Sequence, residues 1–230
     1  MNKYELHAHT AECDRVAQHS GAEIVRLYAD AGYSGMVITD HYFSLFYEWF
    51  KDEFCPSDHK SIIDRYLCGY HSARNEAERI GFSLLCGAEV RFDNTPNDYL
   101  IYGLEESDLY RLPLLNRLKN LPELISVLPD HAVIVQAHPF RVNMTVTDPD
   151  LLFGVEAHNG RTSPFRNKMA RDYAEHYGKV MTSGSDIHHI KALASGGIAT
   201  ARQIGCARDL VDVLRSGEYT LITGKEDATC

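Results

Sequence analysis

The sequence predicts an α/β fold built on a largely parallel sheet or barrel. Short apolar runs alternate with segments of helical periodicity along most of the 230 residues. Such alternation is typical of βα units joined by right-handed crossovers. We find no Pro/Gly/Ser-rich linker and no internal repeat, so we expect one domain over residues 1–230. Eight strand candidates favour a barrel over an open sheet.

The predicted elements follow one another in a regular order. The strands are expected at Tyr4–His7, Met36–Thr39, Leu84–Val90, Tyr99–Tyr102, Val133–Ala137, Gly154–Ala157, Val180–Thr182 and Tyr219–Ile222. The helices are expected at Ala22–Ala31, Ser61–Ile80, Leu121–Leu128, Phe165–Tyr177 and Ala207–Arg215. Three of these helices are followed by a glycine, the residue that most often ends a helix: Gly32, Gly81 and Gly178.

Composition limits the classes of partner. The formal net charge is −9, so binding to extended nucleic acid is not expected. A small phosphorylated substrate remains compatible, because bound divalent cations reverse the sign of a carboxylate-rich site. No apolar stretch approaches the roughly 20 residues that span a bilayer, so we expect no membrane association.

The cysteines indicate a reducing environment. They stand at positions 13, 55, 68, 86, 206 and 230, and no two form a Cys-x-x-Cys pair typical of zinc ribbons or thioredoxin-like proteins. The first residues lead directly into the first predicted strand, so no signal peptide is expected. We therefore expect a cytoplasmic protein with reduced thiols.

Polar signatures lie directly after the apolar runs. They are His7-Ala8-His9, Asp14, Asp40-His41, Glu89, His138-Pro139, His158-Asn159 and Ser185-Asp186-Ile187-His188. Residues just beyond the carboxyl ends of parallel strands converge on one face of a sheet or barrel. Imidazoles and carboxylates gathered there are typical of a metal cluster. The sequence therefore predicts a metal-dependent hydrolase.

Two of these signatures carry specific physical arguments. His7 and His9 stand two residues apart, and such residues of a strand point to the same side, so both imidazoles can reach one cation. Glu89 is a charge within an apolar run, and a buried carboxylate requires a partner or a metal. Each signature alone also has a structural interpretation, such as Asp40 acting as a cap or His138 bonding a backbone carbonyl.

As a set, the motifs resemble those of the PHP (polymerase and histidinol phosphatase) family. The matching pieces are Leu6-His7-Ala8-His9-Thr10 with Asp14, Ile38-Thr39-Asp40-His41, Gly87-Ala88-Glu89, Ala137-His138-Pro139-Phe140-Arg141 and Gly184-Ser185-Asp186-Ile187-His188. The resemblance implies a distorted, TIM-like (β/α)7 barrel with a metal site at the carboxyl ends of its strands. It also implies two or three divalent cations (zinc, manganese or iron) and hydrolysis of phosphate esters.

The resemblance also implies a ligand set. The first cation would be held by His7, His9, Glu89 and Asp186, and a third by Asp14, His41 and His188. Glu89 would bridge to a second cation that His138 also binds. Glu12 competes with Asp14 for its place in the motif, because the loop around them is unusual.

The chain departs from the family pattern at Leu100. Many members carry a histidine ligand of the second cation between the bridging glutamate and the His-Pro motif, and Leu100 occupies that place. Asp98 or a water would complete the site, or the enzyme would work with fewer metals. Cys13 stands where a serine is common; it either coordinates as a thiolate or is a buried, inert thiol.

The chemical hypothesis is hydrolysis by a metal-bound hydroxide, with no protein nucleophile. Arg141 is the first candidate for a phosphate clamp, because its planar fork matches two phosphoryl oxygens. Arg161 and Arg91 are the second and third candidates, with a surface ion pair as the alternative for each. His189, Asp40 and a metal-bound water are open choices for the leaving-group acid. His158 is expected near the site as a supporting or substrate contact.

The favoured function is a phosphoesterase for a small phosphorylated metabolite. A monoester is preferred over a diester, because no feature suggests a long binding groove, and histidinol phosphate is one candidate. The alternatives are a phosphodiesterase or nuclease-type activity, an amidohydrolase-type C–N hydrolase, and a non-catalytic metal-binding regulatory module.

Residues 42–50 carry six aromatic side chains, including the only tryptophan. They would form a lid or pocket wall, pack the segment onto the barrel, or contribute to an oligomer contact.

Overall fold

The computed structural model describes residues 1–224, which form an α/β fold around a ten-stranded mixed sheet; Cys230 lies outside this range. The strands are β1 (Asn2–Ala8), β2 (Gly35–Ile38), β3 (His41–Tyr42), β4 (Ser83–Arg91), β5 (Asp98–Leu104), β6 (Val133–Gln136), β7 (Gly154–Asn159), β8 (Val180–Gly184), β9 (Ile198–Thr200) and β10 (Thr220–Leu221). The helices are α1 (Gly21–Asp30), α2 (Ser44–Phe50), α3 (His59–Tyr66), α4 (Cys68–Ile80), α5 (Glu106–Arg111), α6 (Leu121–Val127), α7 (Pro164–Tyr177) and α8 (Ala207–Ser216).

The strand order is β10-β9-β1-β2-β4-β5-β6-β7-β8, and β3 pairs with the end of β4. Ala8 in β1 forms a parallel bridge with Ile187, which lies just after β8, so the sheet nearly closes into a barrel. The predicted α/β barrel is therefore confirmed. Among residues 1–224, every helix is too short or too polar to cross a lipid bilayer.

The sheet is less parallel than predicted. β5 runs antiparallel to both β4 and β6, and β9 runs antiparallel to β1. Only residues 92–97 separate β4 from β5, whereas a parallel crossover needs a dozen or more residues. The chain must therefore turn back. Because of this reversal, Asp98 at the start of β5 pairs with Arg91 at the end of β4.

The single helix predicted at Ser61–Ile80 is wrong, since the chain forms α3 and α4 with a break at Leu67. The break brings Gly69 against the loop after β1, where a Cβ atom would lie 1.8 Å from Thr10 Oγ1. The thiol of Cys13 in the same loop donates to the Tyr66 carbonyl at 2.7 Å. Close packing of this loop, rather than helix propensity, determines where the helix is interrupted.

The core continues from the barrel into the segment at residues 42–50. Tyr42, Phe43, Phe46 and Phe50 are buried in one apolar cluster with residues of α3, β4 and β5. The aromatic segment thus packs onto the barrel, as one of its three interpretations predicted. Phe43 also stacks near His41, with ring centroids 4.7 Å apart.

Candidate metal centre

The structure brings the eight sequence-predicted ligands together at one end of the sheet. They are His7, His9, Asp14, His41, Glu89, His138, Asp186 and His188. Their side chains are at most 3% exposed except for that of His41, which is 13% exposed. They come from distant parts of the chain, so the convergence follows from the strand topology rather than from sequence neighbourhood.

Glu89 lies at the centre of the cluster. Its Oε1 is 3.1 Å from His138 Nε2 and 3.3 Å from His7 Nε2. Its Oε2 is 3.0 Å from His41 Nε2 and 3.4 Å from His9 Nε2. Each carboxylate oxygen thus faces two imidazoles, which suits a carboxylate that would be shared between neighbouring cations.

Asp186 faces His7 and His9. Its Oδ1 is 3.5 Å from His9 Nε2 and 3.9 Å from His7 Nε2. Asp186 has a φ of 53° and His138 a φ of 30°, both in the left-handed region that non-glycine residues rarely adopt. Such conformations cost of order 1–3 kcal/mol each and are concentrated at functional sites. The fold therefore holds these two side chains in place against local strain.

Asp14 forms a second subcluster with His41 and His188. Its Oδ2 is 2.9 Å from His41 Nδ1 and 3.0 Å from His188 Nε2. Burial alone would raise the pKa of Asp14, but hydrogen bonds from His188 and His41 hold it well below its usual value. Glu12, the competing candidate, accepts the Gly21 amide at the start of α1 instead.

Unsatisfied polar atoms provide a test of whether these residues fit a metal. Within residues 1–224, His7 Nε2, both ring nitrogens of His9 and Glu89 Oε2 are buried without a hydrogen-bond partner. Burying such atoms unpaired is costly. These nitrogen and oxygen atoms lie close to one another but do not form hydrogen bonds. Metal ligands that point at a common cation show this arrangement. Nitrogen and carboxylate oxygen donors suit zinc, manganese and iron, so the set fits divalent cations.

Carboxylates and imidazoles of the cluster stabilise each other's charged forms. Burial alone would lower the pKa of His41, but the carboxylates of Glu89 and Asp14 raise it to about 10. Burial alone would raise the pKa of Glu89, but His7 and His41 hold it well below its usual value. The carboxylates therefore stay ionised beside positive charge, which protonated imidazoles or a bound cation can supply.

Glu156, which the sequence analysis missed, orients two of the histidines. Its Oε1 accepts from His7 Nδ1 at 2.8 Å. Its Oε2 accepts from the His138 amide and from Asn159 Nδ2, both at 2.9 Å. A carboxylate behind a metal-binding histidine fixes the tautomer and ring orientation. A charge inside the apolar run of β7 was the available signal, the same one that singled out Glu89.

Glu5 is a second missed residue, fully buried in β1. Its Oε1 accepts from the amides of His7 and Ser185, at 2.8 and 2.9 Å. Its Oε2 accepts the Ser185 hydroxyl at 2.5 Å. Glu5 thus ties β1 to the turn that carries Asp186. Burial raises its pKa.

Leu100 is the residue at which the chain departs from the family pattern. Leu100 pairs with Glu89 across the β4–β5 ladder and is fully buried among apolar side chains. Asp98 lies two residues earlier in β5, with Oδ2 3.7 Å from His138 Nε2. Glu89, Asp98 and His138 offer ligand atoms that lie within 4.8 Å of one another.

The two acid candidates lie in different surroundings. The carboxylate of Asp40 accepts from the Thr10 amide at 2.6 Å and from its hydroxyl at 2.8 Å, and burial raises its pKa to about 7. Asp40 thereby anchors the loop after β1. His189 is exposed beside the cluster. His158 bonds the Ser195 carbonyl through Nε2 at 2.9 Å, so its contact is a supporting one.

The three candidate arginines are all engaged with carboxylates of the site. Arg141 Nη2 donates to Asp186 Oδ2 at 2.5 Å and to Asn159 Oδ1 at 2.9 Å. Arg161 Nη1 lies 3.6 Å from Asp186 Oδ1 and 2.7 Å from a ring nitrogen of His188. Arg91 binds both oxygens of Asp98.

Cys13 is a buried thiol rather than a ligand. Burial raises the pKa of its thiol, which donates a hydrogen bond to a backbone carbonyl.

A cleft of about 460 Å³ opens beside His188. Its polar lining comes from Gln18, Arg161, His189 and Lys191. The cleft therefore presents cationic side chains close to His188, which Arg161 contacts.

The fold and the donor set define a metal-binding α/β barrel, and comparisons with known proteins agree. Residues 164–219 match the family model described as PHP-associated. No curated protein matches the sequence. This match covers the carboxyl-terminal part of the chain and agrees with the family that the motifs between residues 6 and 188 resemble.

Solved structures share the fold at low identity. A two-domain protein from Bacteroides vulgatus, described as containing a predicted PHP-like metal-dependent phosphoesterase, is 16% identical with a TM-score of 0.67; the match covers 97% of this chain and 65% of that one. PsfC from Pseudomonas syringae is 15% identical with a TM-score of 0.65, and the match covers 98% and 93%. An amidohydrolase from Chromobacterium violaceum, with bound sulfate and no metal, is 14% identical with a TM-score of 0.57, covering 97% and 99%.

Proposed function

We propose that this protein is a metal-dependent phosphoesterase that hydrolyses a small phosphorylated metabolite, with monoesters preferred over diesters. The observation that carries the proposal is the position of Glu89, whose two oxygens each face two imidazoles. The PHP-associated match and a structural neighbour described as PHP-like support the reaction class.

The residues that would hold the cations are assigned as the resemblance to the PHP family implies, and their ligand atoms lie close enough together to share cations. One cation would be held by His7, His9, Glu89 and Asp186, a second by Glu89 and His138, and a third by Asp14, His41 and His188. Divalent cations supply a water of lowered pKa and neutralise charge on phosphoryl oxygens. Glu156 and Glu5 hold His7 and the Asp186 turn through hydrogen bonds, which would keep these ligands oriented towards a cation.

Arg141 and Arg161 would bind the phosphoryl oxygens. Both guanidinium groups lie beside Asp186, and their side chains are 28% and 40% exposed, so a ligand can reach them. A guanidinium donates to two oxygens of a phosphoryl group through parallel N–H groups and stabilises charge that develops there. His189, exposed at the cleft, would donate a proton to the leaving oxygen. Asp40 is committed to Thr10 and is less suited to that role.

The cleft beside His188 would take the organic part of the substrate. Its volume of about 460 Å³ suits a metabolite, because small-molecule pockets typically measure about 300–1,000 Å³. The net charge of −9 disfavours a long polyanionic ligand, whereas Arg161 and Lys191 favour one small anion.

The test is a hydrolysis screen on metal-loaded protein. Metal-free protein would be loaded with Mn²⁺, Zn²⁺ or Fe²⁺ and assayed on phosphomonoesters, phosphodiesters and amides. We expect phosphate release that Glu89→Gln abolishes and that Glu78→Gln, at an exposed position of α4, leaves unchanged. Hydrolysis of amides without any phosphate ester would contradict the proposal in favour of an amidohydrolase. A protein that binds no metal would contradict it altogether.

A further inference from the structure

We infer that Asp98 is a metal ligand, which completes the second cation site together with Glu89 and His138, and that Arg91 positions its carboxylate. The inference rests on the proposed metal-dependent function and decides between the alternatives that the sequence left open at the second site: Asp98, a water, or fewer metals.

The backbone places Asp98 inside the site. Because β5 runs antiparallel to β4, its first residue lies at the end of the barrel where Glu89 lies. The Asp98 side chain is 1% exposed, and the residue that faces Glu89 across the ladder is Leu100, which has no ligand atom. Asp98 and Leu100 are two residues apart in one strand and share a face. The nearest donor on that face of β5 is therefore the Asp98 carboxylate.

The distances fit one shared cation. Asp98 Oδ2 is 3.7 Å from His138 Nε2, which is 3.1 Å from Glu89 Oε1. Donors bound to one cation at about 2.0–2.2 Å lie roughly 3–4 Å apart. Asp98 Oδ2 and Glu89 Oε1 thus both lie near the same imidazole nitrogen, and the three atoms are within 4.8 Å of one another, as ligands of one cation must be.

The ion pair with Arg91 leaves Asp98 free to bind. Arg91 Nε donates to Oδ1 and Nη2 to Oδ2, both at 2.6 Å. An ionised carboxylate has about four lone-pair sites, so the fork of Arg91 uses only part of them. The Arg91 side chain is 34% exposed and approaches from outside, whereas His138 and Glu89 are buried. Arg91 thus fixes the carboxylate from behind, as the outer partner of a ligand does.

The donor set predicts which metal this second site prefers. It contains two carboxylates and one imidazole, whereas the first site includes both His7 and His9. Carboxylate and water ligands suit manganese and magnesium, and imidazole suits zinc, copper, iron and nickel. Asp98 should therefore shift the second site towards Mn²⁺, even when the first is filled by another metal.

Mn²⁺ titration of the metal-free chain tests the inference without reference to turnover. Free Mn²⁺ would be followed by electron paramagnetic resonance, which also shows spin coupling when two Mn²⁺ ions share Glu89. Compared with the wild type, Asp98→Asn should lose one equivalent of bound Mn²⁺ and the coupled signal. The matched control is Asp93→Asn, an exposed carboxylate just after β4, which should bind as the wild type does.

A second variant keeps the test decisive if Asp98→Asn does not fold. Arg91→Lys keeps the positive charge and removes the two-nitrogen fork. It should weaken only the second Mn²⁺ by about 10- to 100-fold, as expected when an outer partner of a ligand is lost. Equal stoichiometry and affinity in Asp98→Asn, or an unchanged second affinity in Arg91→Lys, would overturn the inference.

The outcomes also separate this inference from the proposed function. If the wild type binds metals and hydrolyses phosphate esters while Asp98→Asn binds the same number of Mn²⁺ ions, only the role of Asp98 is wrong. If the wild type binds two Mn²⁺ ions through Asp98 but hydrolyses no phosphate ester, only the proposed reaction is wrong.

Discussion

Glu156→Gln should weaken both the fold and metal binding, although Glu156 is not proposed as a ligand. The carboxylate accepts three hydrogen bonds in a fully buried position: from His7 Nδ1, the His138 amide and Asn159 Nδ2. A glutamine can keep His7 as a donor to its carbonyl, but its NH₂ group then faces two other donors.

The magnitude follows from those two lost bonds. Hydrogen bonds to a charged group contribute about 1.5–3 kcal/mol each, so the variant should lose at least about 3 kcal/mol of stability. For a domain of this size, about 1 kcal/mol shifts Tm by roughly 2–4 °C, so we expect a fall of about 6–12 °C. Misoriented His7 should also lower the affinity for the first cation by about 10- to 100-fold.

Thermal unfolding of the metal-free protein and Zn²⁺ titration against a competing chelator measure the two effects. The control is Glu175→Gln, which makes the same chemical change at an exposed position of α7. If Glu156→Gln and Glu175→Gln have the same Tm and the same Zn²⁺ affinity, Glu156 does not support the site and the reasoning is refuted.

Three further changes test the packing around the site. Leu100→Ala should cost about 2–5 kcal/mol in chemical denaturation, because it empties a fully buried position; a loss below 1 kcal/mol would contradict the packing. Gly69→Ala should fold poorly, as judged by circular dichroism, since its Cβ would lie 1.8 Å from Thr10 Oγ1, and native stability would contradict this. Partial burial would raise the pKa of Glu106, but His71 and a neighbouring arginine lower it. Ionised Glu106 therefore stabilises the fold at pH values above the pKa that it has in the unfolded chain. Glu106→Gln should therefore cost under about 1 kcal/mol at pH 7, and urea denaturation over a pH series should show the difference shrinking as the pH falls through the lowered pKa of Glu106; a difference that does not change with pH would contradict this.

The strand ends and the ligands that follow them could be predicted from the sequence, because both depend on local patterns. Apolar runs mark buried strands, and polar residues directly after them mark the rim of a barrel. The predicted strand Leu84–Val90 lies within β4, and Glu89 occupies the rim as expected.

The reversal of β5 was predictable but was missed. The short connection at residues 92–97 excludes a helical crossover. The regular alternation of strands and helices elsewhere in the chain favoured a parallel sheet. That general pattern was given more weight than the short connection at residues 92–97. The error matters because only an antiparallel β5 brings Asp98 to the end of the barrel where Glu89 lies.

The supporting carboxylates could not have been assigned partners from the sequence. Glu156 and His7 lie 149 positions apart, and Glu5 and Ser185 lie 180 positions apart. Nothing in the sequence specifies such pairs, since they arise when β1 meets the ends of β7 and β8. A buried carboxylate in an apolar strand could have been flagged, but not the residue that it holds.

The metal content of the purified chain tests the central claim most directly. Protein loaded with Mn²⁺ and freed of excess metal should hold at least two ions per chain by elemental analysis, and Glu89→Gln should lose most of them while Glu78→Gln loses none. If the wild type holds no metal, or if Glu89→Gln holds as much as the wild type, the histidines and carboxylates around Glu89 do not form a shared metal centre.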